Sequence, residues 1–300
     1  MQGGERYNSI GNWLKNYFGS KTVKLSIEAG FTCPNRDGKV GYGGCAFCSS
    51  GGSGELSSTI EEQIELLSNK WPDAVYLAYF QSHTNTYAPV SVLRDKFYSA
   101  LSDPRISGIA IATRPDCLDE DVLDLLDEIN REHFLWVELG LQTIHKETSD
   151  MLGIGYDLAC YDKAVSELRK RNIRVVSHLI LGLPGESRED MFESVRHAVN
   201  GGIWGLKLHL LNIVSTARMN EMYHDYIPFE SIDEYTDLVV DLLEIIPEDI
   251  TMHRLTGDVP RSILVAPQWS YKKRTILNEI NRKLRERNTF QGKALLNNEE

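Results

Sequence analysis

Three cysteines in one short segment give this chain its clearest chemical potential. Cys33, Cys45 and Cys48 follow a β-rich run and are joined by a polar, Gly-rich loop. Thiolate sulfur is a soft ligand that suits zinc or an iron–sulfur cluster. Three cysteines on a cubane leave one iron open to bind a small molecule, whereas a structural zinc site closes all its positions. The segment predicts a catalytic iron–sulfur centre or, alternatively, a zinc site completed by Cys117, Cys160 or a histidine.

Apolar β-rich runs alternate with helical patterns along the chain, which indicates repeated β/α units. Six runs are nearly continuous in apolar residues, as in a parallel sheet covered on both faces: 23–29, 74–80, 106–112, 134–140, 173–181 and 203–210. Helical patterns are clearest over 118–130, 156–171 and 188–200. The predicted fold is α/β, a partial (β/α)6 TIM-type barrel, with an open doubly wound sheet as the alternative.

The pattern changes to helices from about Ser215, and the last of these is predicted over 271–287. We therefore expect two parts. Residues 1–214 form the barrel core and carry the cysteine loop at 33–48. Residues 215–300 form a basic, helical C-terminal extension that binds substrate.

Polar side chains collect where the predicted strands end, which is where barrel enzymes have their active sites. The residues in these places, taken strand by strand, are Gln81, His83 and Thr84, then Arg114, then Glu138 and Gln142, then Gly182, Gly185 and Glu186, and finally Lys207 and His209. A purely structural barrel would not need polar groups at one end of every strand.

The composition is that of a soluble globular protein, with 42% hydrophobic residues among 300 and a mean hydropathy of −0.30. No apolar run approaches the roughly 20 residues that span a bilayer, and the N-terminus lacks the apolar core of a secretion signal. Five cysteines, three of them clustered, do not resemble a disulfide framework. These features predict a cytoplasmic protein that does not enter a membrane.

Charge is unevenly distributed along the chain, whose formal net charge is −11. The segment 254–293 contains ten Lys or Arg and three acidic residues, so it carries +7 and the remainder carries −18. A basic segment on an acidic protein is compatible with a phosphate-bearing partner or with a solvated helix face. Trp269, Tyr271 and Phe290 interleave with this charge and could stack on exposed bases.

The chain resembles the radical S-adenosylmethionine (SAM) superfamily, and within it a bacterial branch related to the catalytic subunit of Elongator. The cysteines have the long first spacing of that branch, with eleven residues and then two between them. The resemblance covers nearly the whole chain through the motifs at 6–8, 32–38, 78–86, 112–117, 138–143, 182–186, 253–258 and 266–269. Two features depart from the family. Residues 81–85 replace its Gly-Gly-Glu motif, and no Arg precedes 153–156.

The resemblance implies a [4Fe-4S] cluster on Cys33, Cys45 and Cys48 that reductively cleaves SAM to methionine and a 5′-deoxyadenosyl radical. It also implies SAM contacts from Phe47, Gln81, Thr84, Glu138, Gln142, Gly182, Gly185 and Glu186. An external one-electron reductant of the flavodoxin or ferredoxin type would supply the electron.

Some members of the branch are linked to modification of the tRNA wobble uridine side chain, which makes tRNA the expected partner. Candidates for catalytic chemistry are His83, Lys207, His209, His253 and Asp258. Candidates for contact with substrate or RNA are Arg114, Arg254, Arg261, Lys272, Lys273 and Arg274. The alternatives are a radical SAM enzyme acting on a small metabolite or peptide, and a zinc-stabilised interaction protein without enzymatic activity.

Overall fold

A curled sheet of seven parallel strands forms the centre of the computed structural model, which describes residues 5–52 and 57–298. The strands are β1 (Thr22–Ile27), β2 (Val75–Phe80), β3 (Ile106–Thr113), β4 (Phe134–Gln142), β5 (Arg174–Leu181), β6 (Gly205–Leu210) and β8 (Thr251–Arg254). They lie in the order β1-β2-β3-β4-β5-β6-β8, so chain neighbours are also neighbours in space. A separate antiparallel pair joins β7 (Ile213–Val214) to β9 (Leu264–Ala266).

Helices cover the outside of the sheet. They are α1 (Ile10–Phe18), α2 (Ile60–Ser68), α3 (Val90–Leu101), α4 (Glu120–Glu132), α5 (Lys146–Leu152), α6 (Leu158–Lys170), α7 (Arg188–Asn200), α8 (Arg218–Met222), α9 (Ile232–Ile245) and α10 (Lys273–Glu286). Several begin at a residue whose side chain accepts a backbone N–H, such as Asp119 before α4 and Ser187 before α7. Such caps satisfy donors that the first helical turn leaves unpaired. No helix within the described ranges is long and apolar enough to cross a membrane.

The predicted partial barrel is confirmed, with one more strand than the sequence indicated. The additional strand, β8, pairs in parallel with β6 through Gly205 and Thr251. It comes from the segment that was predicted to be a helical extension, so this segment contributes to the sheet as well as to α9 and α10. Only four residues long and partly polar, β8 lacks the apolar run that marks the other strands.

Residues near the start of the described chain contact both edge strands of the sheet, β1 and β8. Met252 in β8 donates its backbone N–H to Asn8 at 2.7 Å, and α1 follows directly and packs against both β1 and β8. The backbone N–H of Asn8 is bound by the Gln291 side chain at 2.9 Å. In α1, Trp13 packs against Trp204 with ring centroids 4.9 Å apart. The amino ends of the strands are thereby covered, and the carboxyl ends stay open.

Candidate active site

A cavity of about 270 Å³ lies at the carboxyl ends of the strands. The residues that line it include most of the predicted site: Cys33, Cys45, Phe47, Cys48, Gln81, His83, Thr84, Arg114, Glu138, Gln142, Lys207, His209, Arg254 and Asp258. Parallel strands direct all their carboxyl ends to the same edge, which is why residues so distant in sequence meet there.

The cysteine loop is folded by its own backbone and by contacts across the barrel. Arg36 donates its backbone N–H to the Cys33 carbonyl at 2.8 Å, and Cys48 donates to the Cys45 carbonyl at 3.0 Å. Between those cysteines, Ala46 donates to the carbonyl of Leu152 at the end of α5. The loop is therefore tied to the opposite wall, and all three thiols face one cavity.

The three cysteine sulfurs are not gathered at the spacing of ligands around a single metal ion. Within the described residues, one trio of His, Cys, Asp or Glu has its ligand atoms within 4.8 Å of one another, and it is His145, Asp190 and Glu193. At least one pair of the cysteine sulfurs is therefore more than 4.8 Å apart. Two sulfurs on a tetrahedral zinc with bonds of ~2.3 Å lie about 3.8 Å apart. Three thiolates on one cavity are the donor set of an iron–sulfur cluster with one open iron.

Glu138 is the centre of a buried polar network at the floor of the cavity. Its Oε2 accepts hydrogen bonds from the Tyr79 hydroxyl at 2.6 Å, from His178 Nε2 at 2.9 Å and from the Lys207 ammonium. Its Oε1 accepts the indole N–H of Trp136 at 2.9 Å. Lys207 also donates to the Tyr79 oxygen at 2.9 Å. Both oxygens of Glu138 thus take part in the protein's own network, and Glu138 is almost fully buried at the cavity floor.

The charges in this network determine its protonation. Burial alone would raise the pKa of Glu138, but Lys207, the His178 hydrogen bond and Lys24 outweigh burial and hold it well below the usual range. Burial, assisted by Lys24 and Arg254, lowers the pKa of Lys207 to about 7 against the attraction of Glu138. Burial and then Lys207 lower the pKa of His178 to about 4. At neutral pH the network holds an ionised carboxylate beside a neutral imidazole.

Two buried polar atoms on the cavity wall have no partner among the described residues. They are His209 Nε2 and Asn212 Oδ1. Burial, together with the charge of Arg254, lowers the pKa of His209 well below its usual value, so this ring is neutral. Unpaired buried polar atoms are costly, and a bound polar molecule would satisfy both. The wall therefore fits a small polar ligand such as SAM.

Some predicted site residues do not line the cavity. Gly182 lies beneath Phe229 and accepts the Tyr226 hydroxyl through its carbonyl. Glu186 instead accepts the Thr143 hydroxyl. Gly185, next along the same loop, is likewise outside the lining. The β5–α7 loop thus packs against the segment before α9, which turns these residues away from the cavity.

His253 is also displaced from the cavity, into the aromatic layer beneath it. Its ring lies against Trp136 and Trp204, with centroids 5.5 Å and 5.0 Å apart, and its Nε2 is 3.0 Å from the Thr251 hydroxyl. The register between β6 and β8 shifts at this point, so that Arg254 pairs with Lys207 and lines the cavity, whereas His253 lies below it against the tryptophans. A catalytic role for His253 is not supported by this placement.

Arg114 was predicted to contact substrate or RNA. In the structure its guanidinium binds other parts of the protein. It is buried, forms a bidentate pair with Asp116 at 2.8 and 2.9 Å, and donates to the Ile154 carbonyl at 2.9 Å. Its guanidinium lies 4.8 Å from the centre of the Tyr156 ring. This arginine, directly after β3, thus supports the loop that follows α5.

The predicted basic residues divide into paired and exposed groups. Asp258 at the cavity binds Lys273 at 2.6 Å and Arg254 at 3.7 Å. By contrast, Arg261 and Lys272 are exposed and lie 4.5 Å and 5.9 Å from the centre of the Tyr271 ring. Arg274 is exposed as well. Further along α10, three basic residues pair with acidic residues of α9 or of α10 itself: Arg282, Lys283 and Arg287.

Sequence reasoning missed several residues that the structure brings to the site. Tyr79 binds Glu138, and Lys24 lies over the Tyr79 ring. Tyr156 lines the cavity and donates to the Gly140 carbonyl. Asn35 and Arg36 contact the cysteines. A lysine in the middle of β1 and an arginine between the cysteine ligands were available signals.

The chain belongs to the radical SAM superfamily. The family model described as Radical SAM superfamily matches residues 32–198, and the model described as Radical_SAM C-terminal domain matches 203–286. Its cofactors are accordingly a [4Fe-4S] cluster and SAM, and members need an external reductant. The predicted superfamily is confirmed, and the alternative of a zinc-stabilised interaction protein loses its support.

Several known proteins are similar to this chain. The Bacillus subtilis protein YtqA is 44% identical over 298 residues, which is 96% of this chain and 92% of that protein. A Methanocaldococcus jannaschii protein named tRNA uridine(34) acetyltransferase is 24% identical over 169 residues, 55% of this chain and 30% of its own length. The structure of Methanocaldococcus infernus Elp3 superposes with a TM-score of 0.63 at 17% identity, covering 74% of this chain and 57% of Elp3, which shows a shared fold.

Proposed function

We propose that this radical SAM enzyme modifies the side chain of the uridine at the wobble position of a tRNA. The observation that carries the proposal is the exposed basic and aromatic rim formed by Arg261, Tyr271, Lys272 and Arg274. Asp258 lines the cavity and is bound to Lys273, so this rim is continuous with the candidate active site. Cations hold phosphates and an aromatic ring stacks on an unpaired base.

One of the relatives supports tRNA as the substrate. One protein that matches about half of this chain is named for a reaction on tRNA uridine(34). In that protein the matching part is less than a third of the total length, so a shared RNA substrate is our inference.

We assign the cluster to Cys33, Cys45 and Cys48, and SAM to the wall that carries Phe47, Gln81, Thr84 and Gln142, with His209 and Asn212 as further polar contacts. When bound, the cluster and SAM supply a carbon-centred radical that abstracts hydrogen from the substrate. The chain's own residues orient SAM and exclude water. At the cavity floor Glu138 stays ionised and Tyr79 stays protonated, while Lys207, with a pKa of about 7, can gain or lose a proton near neutral pH.

The compartment and the electron donor follow from this chemistry. All five cysteines are free thiols, which suits a reducing cytoplasm. We infer a flavodoxin- or ferredoxin-type protein as the external reductant.

The RNA part is tested by the salt dependence of tRNA binding. Each phosphate contact contributes about −0.7 to −0.9 to the slope of log K against log salt. Replacing Arg261, Lys272 and Arg274 by Gln should reduce the slope by about 2 and weaken tRNA binding. Arg285→Gln is the control, because it removes an exposed charge about 16.5 Å from Arg274 along α10, at 1.5 Å per residue. A slope change for Arg285→Gln as large as the change per cation in the triple variant would contradict the proposed rim.

The reaction is tested with reconstituted enzyme, SAM, a reductant and tRNA from cells that lack the gene. We expect one uridine-derived nucleoside to change in mass, and no change with Cys45→Ala. An unchanged nucleoside profile with active SAM cleavage would contradict the tRNA assignment.

A small metabolite or peptide is the second candidate substrate. It is favoured by the net charge of −11 and by the ion pairs that neutralise Arg282, Lys283 and Arg287. A substrate-dependent rise in SAM cleavage with such a compound, and none with tRNA, would select it.

A further inference from the structure

Two side chains within the cysteine loop donate hydrogen bonds to cysteine sulfurs. Asn35 Nδ2 lies 3.2 Å from Cys45 Sγ, and Arg36 Nη2 lies 3.3 Å from Cys48 Sγ. Both donors come from the segment between the first and second cysteines. The long spacing of this loop therefore supplies ligand-contacting groups as well as connecting the ligands.

Both donors are fixed by other contacts. Asn35 is 4% exposed, and its Nδ2 also donates to the Gly153 carbonyl at 2.6 Å. Arg36 donates from Nη1 to the Ser50 carbonyl at 3.1 Å and from Nη2 to the Ser49 carbonyl. Fixed donors need little reorganisation when the charge on a sulfur changes.

The guanidinium of Arg36 has carbonyls and a sulfur as its partners among the described residues. In the described part of the chain no carboxylate lies within ion-pair distance of its guanidinium, whose partners are two carbonyls and one sulfur. Gly44 makes room for this arrangement, because a Cβ there would lie only 3.2 Å from Arg36 Nε. A full positive charge is thus held against one sulfur ligand.

We propose that Arg36 and Asn35 set the reduction potential of the cluster by raising it, with Arg36 having the larger effect. This inference rests on the assignment of the cluster to Cys33, Cys45 and Cys48. Reduction adds one electron, taken from the external one-electron reductant, and breaks no bond. The added negative charge is shared by the sulfurs, so donors to sulfur stabilise the reduced state more than the oxidised state. A charged donor does so more strongly than a neutral amide.

The test is a potentiometric titration of the anaerobically reconstituted full chain, followed by electron paramagnetic resonance of the reduced cluster. Arg36→Met should lower the ratio of reduced to oxidised cluster at a fixed potential by at least about tenfold, which is a shift of 59 mV for one electron. Asn35→Leu should shift the midpoint in the same direction by less. Lys39→Met is the matched control, because Lys39 is an exposed cation of the same loop whose ammonium lies over the Tyr87 ring.

Iron content and circular dichroism separate this role from simple support of the loop. If Arg36→Met does not retain four irons, the midpoint is measured on Arg36→Lys, which keeps the cation but loses the planar fork. A partial negative shift is expected there. A wild-type midpoint in the iron-loaded Arg36 variant, or a shift no larger than that of Lys39→Met, overturns the proposal.

The midpoint potential of the cluster is measured without substrate. Wild-type protein that carries a cluster but neither binds nor modifies tRNA would refute the proposed function and leave the potential measurement intact. Conversely, unchanged midpoints with tRNA modification present would refute only the role of Arg36 and Asn35.

Discussion

Replacing Lys207 by Met should destabilise the folded protein, because it leaves the buried carboxylate of Glu138 without its closest cation. Removing one partner of a buried ion pair costs about 3–5 kcal/mol. Glu138 is fully buried but keeps donors from Tyr79, His178 and Trp136. We therefore expect a loss at the lower end of that range, about 3 kcal/mol.

The size of the expected shift in Tm follows from chain length. An unfolding entropy of about 2.1 cal/mol/K per residue gives roughly 0.63 kcal/mol/K for this chain, so about 3 kcal/mol corresponds to about 5 °C. The assay is urea and thermal unfolding of the cluster-free protein at pH 6.5, below the Lys207 pKa of about 7. The double variant Lys207→Met with Glu138→Gln should recover part of the loss, because the amide needs no counter-charge.

The pH dependence gives an independent check on the cause. In the wild type the pKa of Glu138 is held well below the usual value, so its ionisation stabilises the fold above pH ~4.3 and this contribution fades as pH falls through the folded pKa. Without Lys207, burial raises that pKa instead, and protonation at lower pH relieves the unpaired charge. The deficit of the variant should therefore shrink between pH 6.5 and 5. A loss below about 1 kcal/mol, or a deficit that grows on acidification, would refute an ion-paired Glu138.

Three further predictions concern protonation, backbone conformation and metal loading. The pKa of His178 is lowered to about 4 from ~6.5, so protonation of His178 makes the protein less stable as pH drops from about 6.5 to 4. His178→Asn should therefore flatten the pH dependence of the urea midpoint over that range. An unaltered slope would contradict a neutral buried ring. Gly182 and Gly185 have φ of +84° and +87°, but a Cβ at Gly182 would meet Phe229 at 2.6 Å whereas Gly185 faces open space. Ala at either position should cost about 1–2 kcal/mol in backbone strain, and more at Gly182; equal losses in urea unfolding would show that the contact is relieved. Cys45→Ala should abolish iron uptake while Cys160→Ala retains about four irons per chain, the number in one cubane; loss of iron in both would contradict the assigned ligand set.

Much of the fold was predictable because apolar runs mark the strands that are covered on both faces. All six predicted strands match strands of the sheet to within two residues at either end. The missing strand, β8, has two half-buried polar members, His253 and Arg254, so its pattern resembles a loop. Its place is determined by pairing with β6, which no local pattern reveals.

The candidate site was predictable to the extent that strand ends define it. Residues at strand ends, such as Gln81 and His209, do line the cavity. The direction of a loop side chain is set by tertiary packing, and this is why Glu186 turns to Thr143. The buried partners of Glu138 could not be paired from sequence, because Tyr79 and Lys207 are 128 residues apart.

The hydrogen bonds that join Asn8 to Met252 and Gln291 constrain when the sheet can be completed during folding. Residues 252 and 291 must leave the ribosome before Asn8 can bind them, so during synthesis β1 and its neighbours form a sheet with an unpaired edge. Unpaired sheet edges can form hydrogen bonds with strands of other chains. The cysteine loop directly follows β1, so it leaves the ribosome before β8 exists and before the barrel that surrounds it is complete.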